Sequence, residues 1–223
     1  MKTQYAKLKA ASEYNTVLLW FDACLFDQSM LCHILTCLRF LKNEKAELFC
    51  IDAFPGIDPY HGLGQLSPAQ LASVHDKRQP LKLERNHFLF AERVDRAFAL
   101  QDFSEFKKLA ELTDAPLPWV PAAVTRWMEE YPDKKTGLGR LEELALEAIR
   151  SGCETAAEIF SFVSERETPP QFWGDTTLWE KINTLAEKEP PLVRIEGPKI
   201  RLPQWEGIAD LKLFRIYPTW RDK

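Results

Sequence analysis

The sequence predicts an α+β protein that is mostly helical. Three observations support this class: a strand–helix–strand pattern near the N terminus, a long run of helical periodicity in the middle, and three further helices followed by two strand-like segments. We therefore predict a small βαβ unit, a central helical segment and a C-terminal winged-helix-like module. The polar segment 132–137 has breakers at both ends, so it is the predicted linker between domains at 1–131 and 138–223.

The βαβ unit is predicted between residues 17 and 51. Val17–Phe21 is a short apolar run typical of a buried strand, and Glu47–Ile51 has the same character. Between them apolar residues recur at spacings of three and four, and Asp27 stands where an N-cap acceptor is expected. Two strands alone do not make a stable sheet. We expect either a further strand from 211–217 or homodimerisation through a free strand edge.

The middle of the chain, from Ser67 to Tyr131, is predicted to be helical. Ser67, Pro68 and Gln70 form a helix-start signature, with an N-cap hydroxyl, a proline at the first helical position and a capping-box partner. Proline and aspartate breakers divide the rest into helices at about 67–78, 84–100, 103–113 and 119–131.

The C-terminal module is predicted to have the element order of a winged helix. Helices are expected at 138–150, at 155–165 and from Asp175 to the Pro190-Pro191 stop. Leu192–Ile195 and Lys199–Leu202 then alternate like two strands around a turn. In this interpretation the third helix is the recognition helix and the hairpin is the wing.

A ten-residue stretch at Leu19–Gln28, LWFDACLFDQ, resembles the L-W-F-x-x-x-L-[FY]-D-Q stretch of a bacterial family catalogued as domain of unknown function 1835. Shorter matches follow in the same order, so the resemblance extends from about residue 17 to 195: LSPAQL at 66–71, RQP at 78–80, EEYP at 129–132, GL at 137–138, and GDT at 174–176 with Trp179. The resemblance implies an architecture and a bacterial, cytoplasmic context, but no activity, because the family itself is uncharacterised.

The chain departs from that family in two ways. Family members usually begin with a further αβ segment, whereas only about 16 polar residues precede the first strand here. We therefore expect a short form of the family. Relatives commonly carry acidic and His residues after Trp-Phe, where this chain has Asp22, Ala23 and Cys24, so any site there is partly dismantled.

Composition limits the classes of partner and the cellular setting. The formal net charge is -4, which gives no general attraction to nucleic acid or to an anionic membrane. The longest apolar run is far too short to span a bilayer, and no signal peptide is recognisable, so a cytoplasmic protein is expected. The five cysteines form no C-x-x-C pair and the four histidines no H-x-x-x-H pair. We therefore predict buried free thiols, no metal site and no cofactor.

The favoured function is a non-enzymatic regulatory or interaction protein. Residues 137–203 carry eight Lys and Arg against twelve Asp and Glu, which is the wrong sign for a module that binds duplex DNA. Only the wing is locally basic. We therefore expect a protein partner, with DNA disfavoured, contacted through the third helix and wing by Lys181, Arg194, Lys199 and Arg201.

The alternative is a metal- or phosphate-dependent enzyme. Asp22 and Asp52 follow two strands, Asp27 opens the intervening helix, and His61 lies in the long loop after the second strand. The carboxyl ends of parallel strands are where open αβ sheets bind ligands, and converging carboxylates hold Mg²⁺ or act as acid and base. The simpler interpretation is an N-cap at Asp27, turn residues at Asp22 and Asp52, and a solvated His61.

Overall fold

The computed structural model describes residues 2–167, 171–204 and 210–219. The chain divides into two compact units, the first comprising 1–128 with 169–172 and the second 129–168 with 173–223. Both are built mainly of helices with a small sheet, which confirms the predicted α+β class. In the part of the chain that the structure describes, no helix is both long enough and apolar enough to cross a membrane.

The first unit combines a three-stranded sheet with helices. Single 3₁₀ turns at Ala10–Glu13 and Leu63–Gln65 precede and follow its two long strands. Its elements in chain order are α1 (Lys2–Lys9), β1 (Val17–Asp22), α2 (Leu25–Phe40), β2 (Ala46–Ile51), α3 (Pro68–Lys77), β3 (Leu81–Lys82), α4 (Arg85–Leu100), α5 (Phe103–Ala110) and α6 (Val120–Met128).

The predicted βαβ unit is confirmed. Strands β1 and β2 run parallel, with Val17 opposite Ala46 and Asp22 opposite Ile51. The inward stripe of α2 is fully buried. Its members recur at helical spacing: Leu31, Leu35 and Leu38. This stripe packs in one core with residues of β1, β2 and α4.

The third strand of this sheet does not come from 211–217, so that expectation is wrong. It is β3, which pairs antiparallel with β2 and follows it at the sheet edge in the order β1-β2-β3. A strand of two residues is too short to show a period-2 pattern.

The second unit contains three helices and a two-stranded antiparallel sheet. A 3₁₀ turn at Leu211–Leu213 precedes its last strand. Its elements are α7 (Arg140–Arg150), α8 (Ala156–Arg166), α9 (Asp175–Glu187), β4 (Val193–Glu196) and β5 (Arg215–Pro218). Trp173 and Trp179 are both buried, so they serve core packing.

The prediction that Lys199–Leu202 forms the second strand of the wing is wrong. Strand β4 pairs with β5, so that Val193 lies opposite Pro218. The buried side chain of Asn183 on α9 explains the difference. Its Oδ1 accepts a hydrogen bond from Leu202 N at 2.7 Å, and its Nδ2 donates to Leu202 O at 3.2 Å. Because α9 binds both polar groups of this backbone, Leu202 has none left for a strand partner.

Candidate functional site

The carboxylate of Asp22, at the end of β1, binds the long loop that follows β2. Its Oδ1 accepts hydrogen bonds from the Tyr60 hydroxyl at 2.7 Å and from Leu63 N at 2.9 Å, and Oδ2 lies 2.8 Å from Leu63 N. Gly62 makes this approach possible, since its φ is +144° and a Cβ there would lie 2.7 Å from Asp22 Oδ2. One carboxylate therefore fastens the loop to the strand end.

Asp27 is not the N-cap of α2, so that part of the simpler interpretation is wrong. The N-cap is Cys24, whose Sγ accepts from Asp27 N at 3.4 Å. The Asp27 carboxylate instead reaches back and accepts from Asp22 N at 2.6 Å. The backbone at the end of β1 is held a second time by Gln28, whose Nε2 donates to Asp22 O at 2.7 Å. The first turn of α2 thus fixes the end of the strand.

Burial governs the ionisation of this cluster. It raises the pKa of Asp22, a shift that the hydrogen bonds from Leu63 and Tyr60 oppose and the charge of Asp27 reinforces. Burial likewise raises the pKa of Asp27, against the hydrogen bond from Asp22 N. The pKa of Cys24 is raised to about 11, chiefly by burial, so this thiol is protonated at neutral pH. The donors to Asp22 and Asp27 are a phenol and backbone amides.

The other two residues of the predicted enzyme site have different partners. Asp52 is exposed, and its Oδ2 accepts from Trp119 Nε1 at 3.4 Å. His61 is half-buried and its backbone N–H donates to Gln65 Oε1 at 2.6 Å. Among the described residues, no group of three or more His, Cys, Asp or Glu side chains is arranged to hold a metal ion. The geometry therefore joins Asp22 to Asp27 through one backbone amide and leaves Asp52 outside that hydrogen-bond network.

The predicted binding residues of the second unit are largely engaged in ion pairs. Arg201 Nη2 donates to both Oε atoms of Glu180 at 3.0 Å, and its Nη1 donates to Glu187. Both acids lie on α9. Two more cations are paired as follows: Arg194 with Glu196, and Lys181 Nζ with Glu130 Oε2 at 3.5 Å. Lys199 is exposed. Two glutamates of α9 thus neutralise Arg201 of the predicted wing.

A groove of about 710 Å³ opens beside α8 and α9 in the same unit. Phe160 lines this groove and packs edge-on against Trp173, with ring centroids 5.3 Å apart. Ala157 and Ser161 are exposed on α8 along the groove. The lining side chains are mostly apolar with a charged rim: Thr155, Ala156, Ala157, Phe160, Ser161, Trp179 and Leu211, then Asp175, Lys212 and Arg215.

Comparison of the chain with protein-family models, with curated proteins and with solved structures gave no match. The resemblance to domain of unknown function 1835 therefore stays a prediction.

Two features of these sites were missed in the sequence. Tyr60 lies among turn-forming residues in a loop without periodicity, and only its neighbourhood to Gly62 and Gly64 hinted at a close backbone approach. Leu211 and Arg215 border the groove because β5 pairs with β4. That pairing joins segments about 20 residues apart, so no local signal could have placed them there.

Proposed function

We propose that this is a non-enzymatic interaction protein whose second unit binds an apolar segment of a protein partner. The groove beside α8 and α9 carries this proposal. It combines apolar lining with a few polar groups at the rim, which is the usual character of a peptide- or ligand-binding cleft. The packing of Phe160 against Trp173 and Trp179 gives the groove a firm aromatic wall.

A winged-helix-like topology is part of the proposal. It is supported by the order of α7, α8 and α9 followed by the antiparallel pair β4-β5. It is further supported by a backbone hydrogen bond of 2.8 Å from Ile216 N to Glu154 O, which joins β5 to the connection between α7 and α8. A short strand between the first two helices, paired with the last strand, is a usual part of a winged helix.

A protein partner is favoured over DNA because of where the charges are. A duplex-binding surface needs cations free to meet phosphates. Arg201 already donates to Glu180 and Glu187, and Arg194 to Glu196. DNA would have to compete with three carboxylates for these two arginines. The wing that the sequence predicted as the basic contact is therefore a poor site for a polyanion.

The rim of the groove indicates the chemistry of the partner. Lys212, Arg215 and Asp175 all line the groove and are exposed. The cations exceed the acids by one. We therefore infer that the bound segment carries one or two large apolar side chains with an acidic residue beside them.

Panning a displayed peptide library on the full chain tests this function. We expect enriched peptides to share an apolar anchor with an acidic flank. Ala157→Glu, which puts a carboxylate into the groove, should weaken their binding about tenfold or more. Ala122→Glu is the matched control, because Ala122 is an exposed alanine on α6 of the other unit. Enriched peptides that bind both variants equally would contradict the proposal, as would tight, salt-sensitive binding of a mixed-sequence DNA duplex.

A further inference from the structure

In the first unit, the side chain of a histidine contacts both a cysteine and an aspartate. His33 and Cys37 stand one turn apart on α2, so their side chains share a face of that helix. Cys37 Sγ lies 3.7 Å from His33 Nε2, and His33 Nδ1 lies 3.1 Å from Oδ1 of Asp95 on α4. Thiol, imidazole and carboxylate are thus in the order of a nucleophile, its base and the group that orients the base.

This cluster is open to solvent, unlike the other thiol of the same helix. The His33 side chain is 47% exposed and that of Asp95 is 21% exposed. Cys37 is half-buried, whereas Cys32 is fully buried. The prediction of buried thiols is therefore wrong for Cys37. Because Cys37 is partly exposed, we expect a small reagent to reach it without any unfolding of the helix.

A tyrosine on α1 competes with the thiol for the imidazole. The Tyr5 hydroxyl lies 2.8 Å from His33 Nε2, which is closer than Cys37 Sγ. When Nδ1 carries the proton that it donates to Asp95, Nε2 has a single lone pair to offer. The Tyr5 hydroxyl therefore occupies His33 Nε2 in this structure. When Tyr5 moves away, Nε2 becomes available to the Cys37 thiol.

There is space beside Tyr5 for a small reagent. A groove of about 340 Å³ runs along α1 and α2 next to the imidazole. Its lining is mostly apolar and comprises Gln4, Tyr5, Leu8, Met30, His33 and Ile34. Burial and the charge of Asp95 raise the pKa of Cys37, so its thiol is protonated at neutral pH and its reaction depends on a base.

We propose that Cys37 is a modification site that forms mixed disulfides with small disulfide compounds, with His33 as its base and Asp95 as a positioning residue. His33 Nε2 takes the thiol proton as Sγ attacks one sulfur of the disulfide. The Cys37–S bond forms while the S–S bond of the reagent breaks, and the proton passes from His33 to the departing thiolate or to water. One disulfide is consumed and one is formed, so no other oxidant is needed.

The rate of labelling by an aromatic disulfide that releases a coloured thiolate, with peptide mass spectrometry to assign the cysteine, tests this proposal. Cys153 is the internal reference, because it too is half-buried with a pKa raised by burial. We expect Cys37 to react about tenfold faster than Cys153 at pH 7. Cys32 should stay unlabelled throughout, which shows that α2 remains folded.

Three variants separate the roles of the neighbours. His33→Gln should slow Cys37 about tenfold, a modest loss for a positioned base because Tyr5 already competes for it. Tyr5→Phe should accelerate Cys37, since it frees Nε2. Asp95→Asn should slow Cys37 and Asp95→Glu should restore most of the rate, which a merely structural effect would not do. Equal rates for Cys37 in the wild type and in His33→Gln, with Cys32 still protected, would overturn the proposal.

Discussion

Replacing Gly62 by alanine should strongly destabilise the first unit. The φ of +144° at Gly62 lies in a region that is essentially reserved for glycine, where another residue costs about 1–3 kcal/mol. The added Cβ would also lie 2.7 Å from Asp22 Oδ2. Relief would require that carboxylate to leave Leu63 N or Tyr60, and overpacking of this kind costs about 1–3 kcal/mol. We expect a total loss of about 3 kcal/mol.

Two glycines of the same loop provide matched controls for this prediction. Gly64 has no atom within 4 Å of an added Cβ and no positive φ, so Gly64→Ala should change stability by less than about 0.5 kcal/mol. Gly56 has a φ of +81° and open space, so Gly56→Ala should show the backbone cost alone, about 1 kcal/mol. Urea unfolding followed by far-UV circular dichroism measures all three. Equal stabilities of Gly62→Ala and Gly64→Ala would refute the role given to Asp22 as the fastener of this loop.

Three further predictions concern stability. Asn183→Ala should cost about 2 kcal/mol by urea unfolding, since it leaves both polar groups of the buried Leu202 backbone unpaired; a change below about 0.5 kcal/mol would contradict this. Because the pKa of Asp22 is raised in the folded state, its contribution to stability falls as pH rises from its ordinary value of 3.8 through the raised one. The wild type should therefore lose stability relative to Asp22→Asn over that pH range, and a growing advantage of the wild type would show the sign to be wrong. Arg201→Glu should lower the urea midpoint, because it sets a third carboxylate against two glutamates of α9, whereas Lys199→Glu should be neutral within error in the same assay; equal effects would count against the ion-pair network.

Local patterns predicted much of this fold. The βαβ unit follows from two short apolar runs and one helical stripe that lie within 35 residues of each other. The capping box at Ser67 was predicted from three residues and is present, with Gln70 N donating to Ser67 Oγ at 3.3 Å. Such features depend on neighbours a few positions away, so a single sequence contains them.

Features that depend on distant partners could not be predicted. Lys199–Leu202 alternates as a strand does, yet a buried amide on α9 binds its last residue. Strand β3 is too short to show a pattern. The cluster of Cys37, His33 and Asp95 could not be predicted for the same reason, because Asp95 lies 62 residues from His33 in sequence. The i and i+4 spacing of His33 and Cys37 was visible, but it gained chemical meaning only beside a carboxylate on another helix.

Photo-crosslinking from the groove shows whether the second unit binds a partner segment there. A benzophenone amino acid would replace Ser161, which is exposed in the groove, or Ile200, which is 86% exposed on the segment that the sequence predicted as the wing. A peptide selected on the full chain should crosslink from position 161 and not from position 200. Crosslinking from position 200 alone would place the contact on the predicted wing and rule out the groove as the binding site.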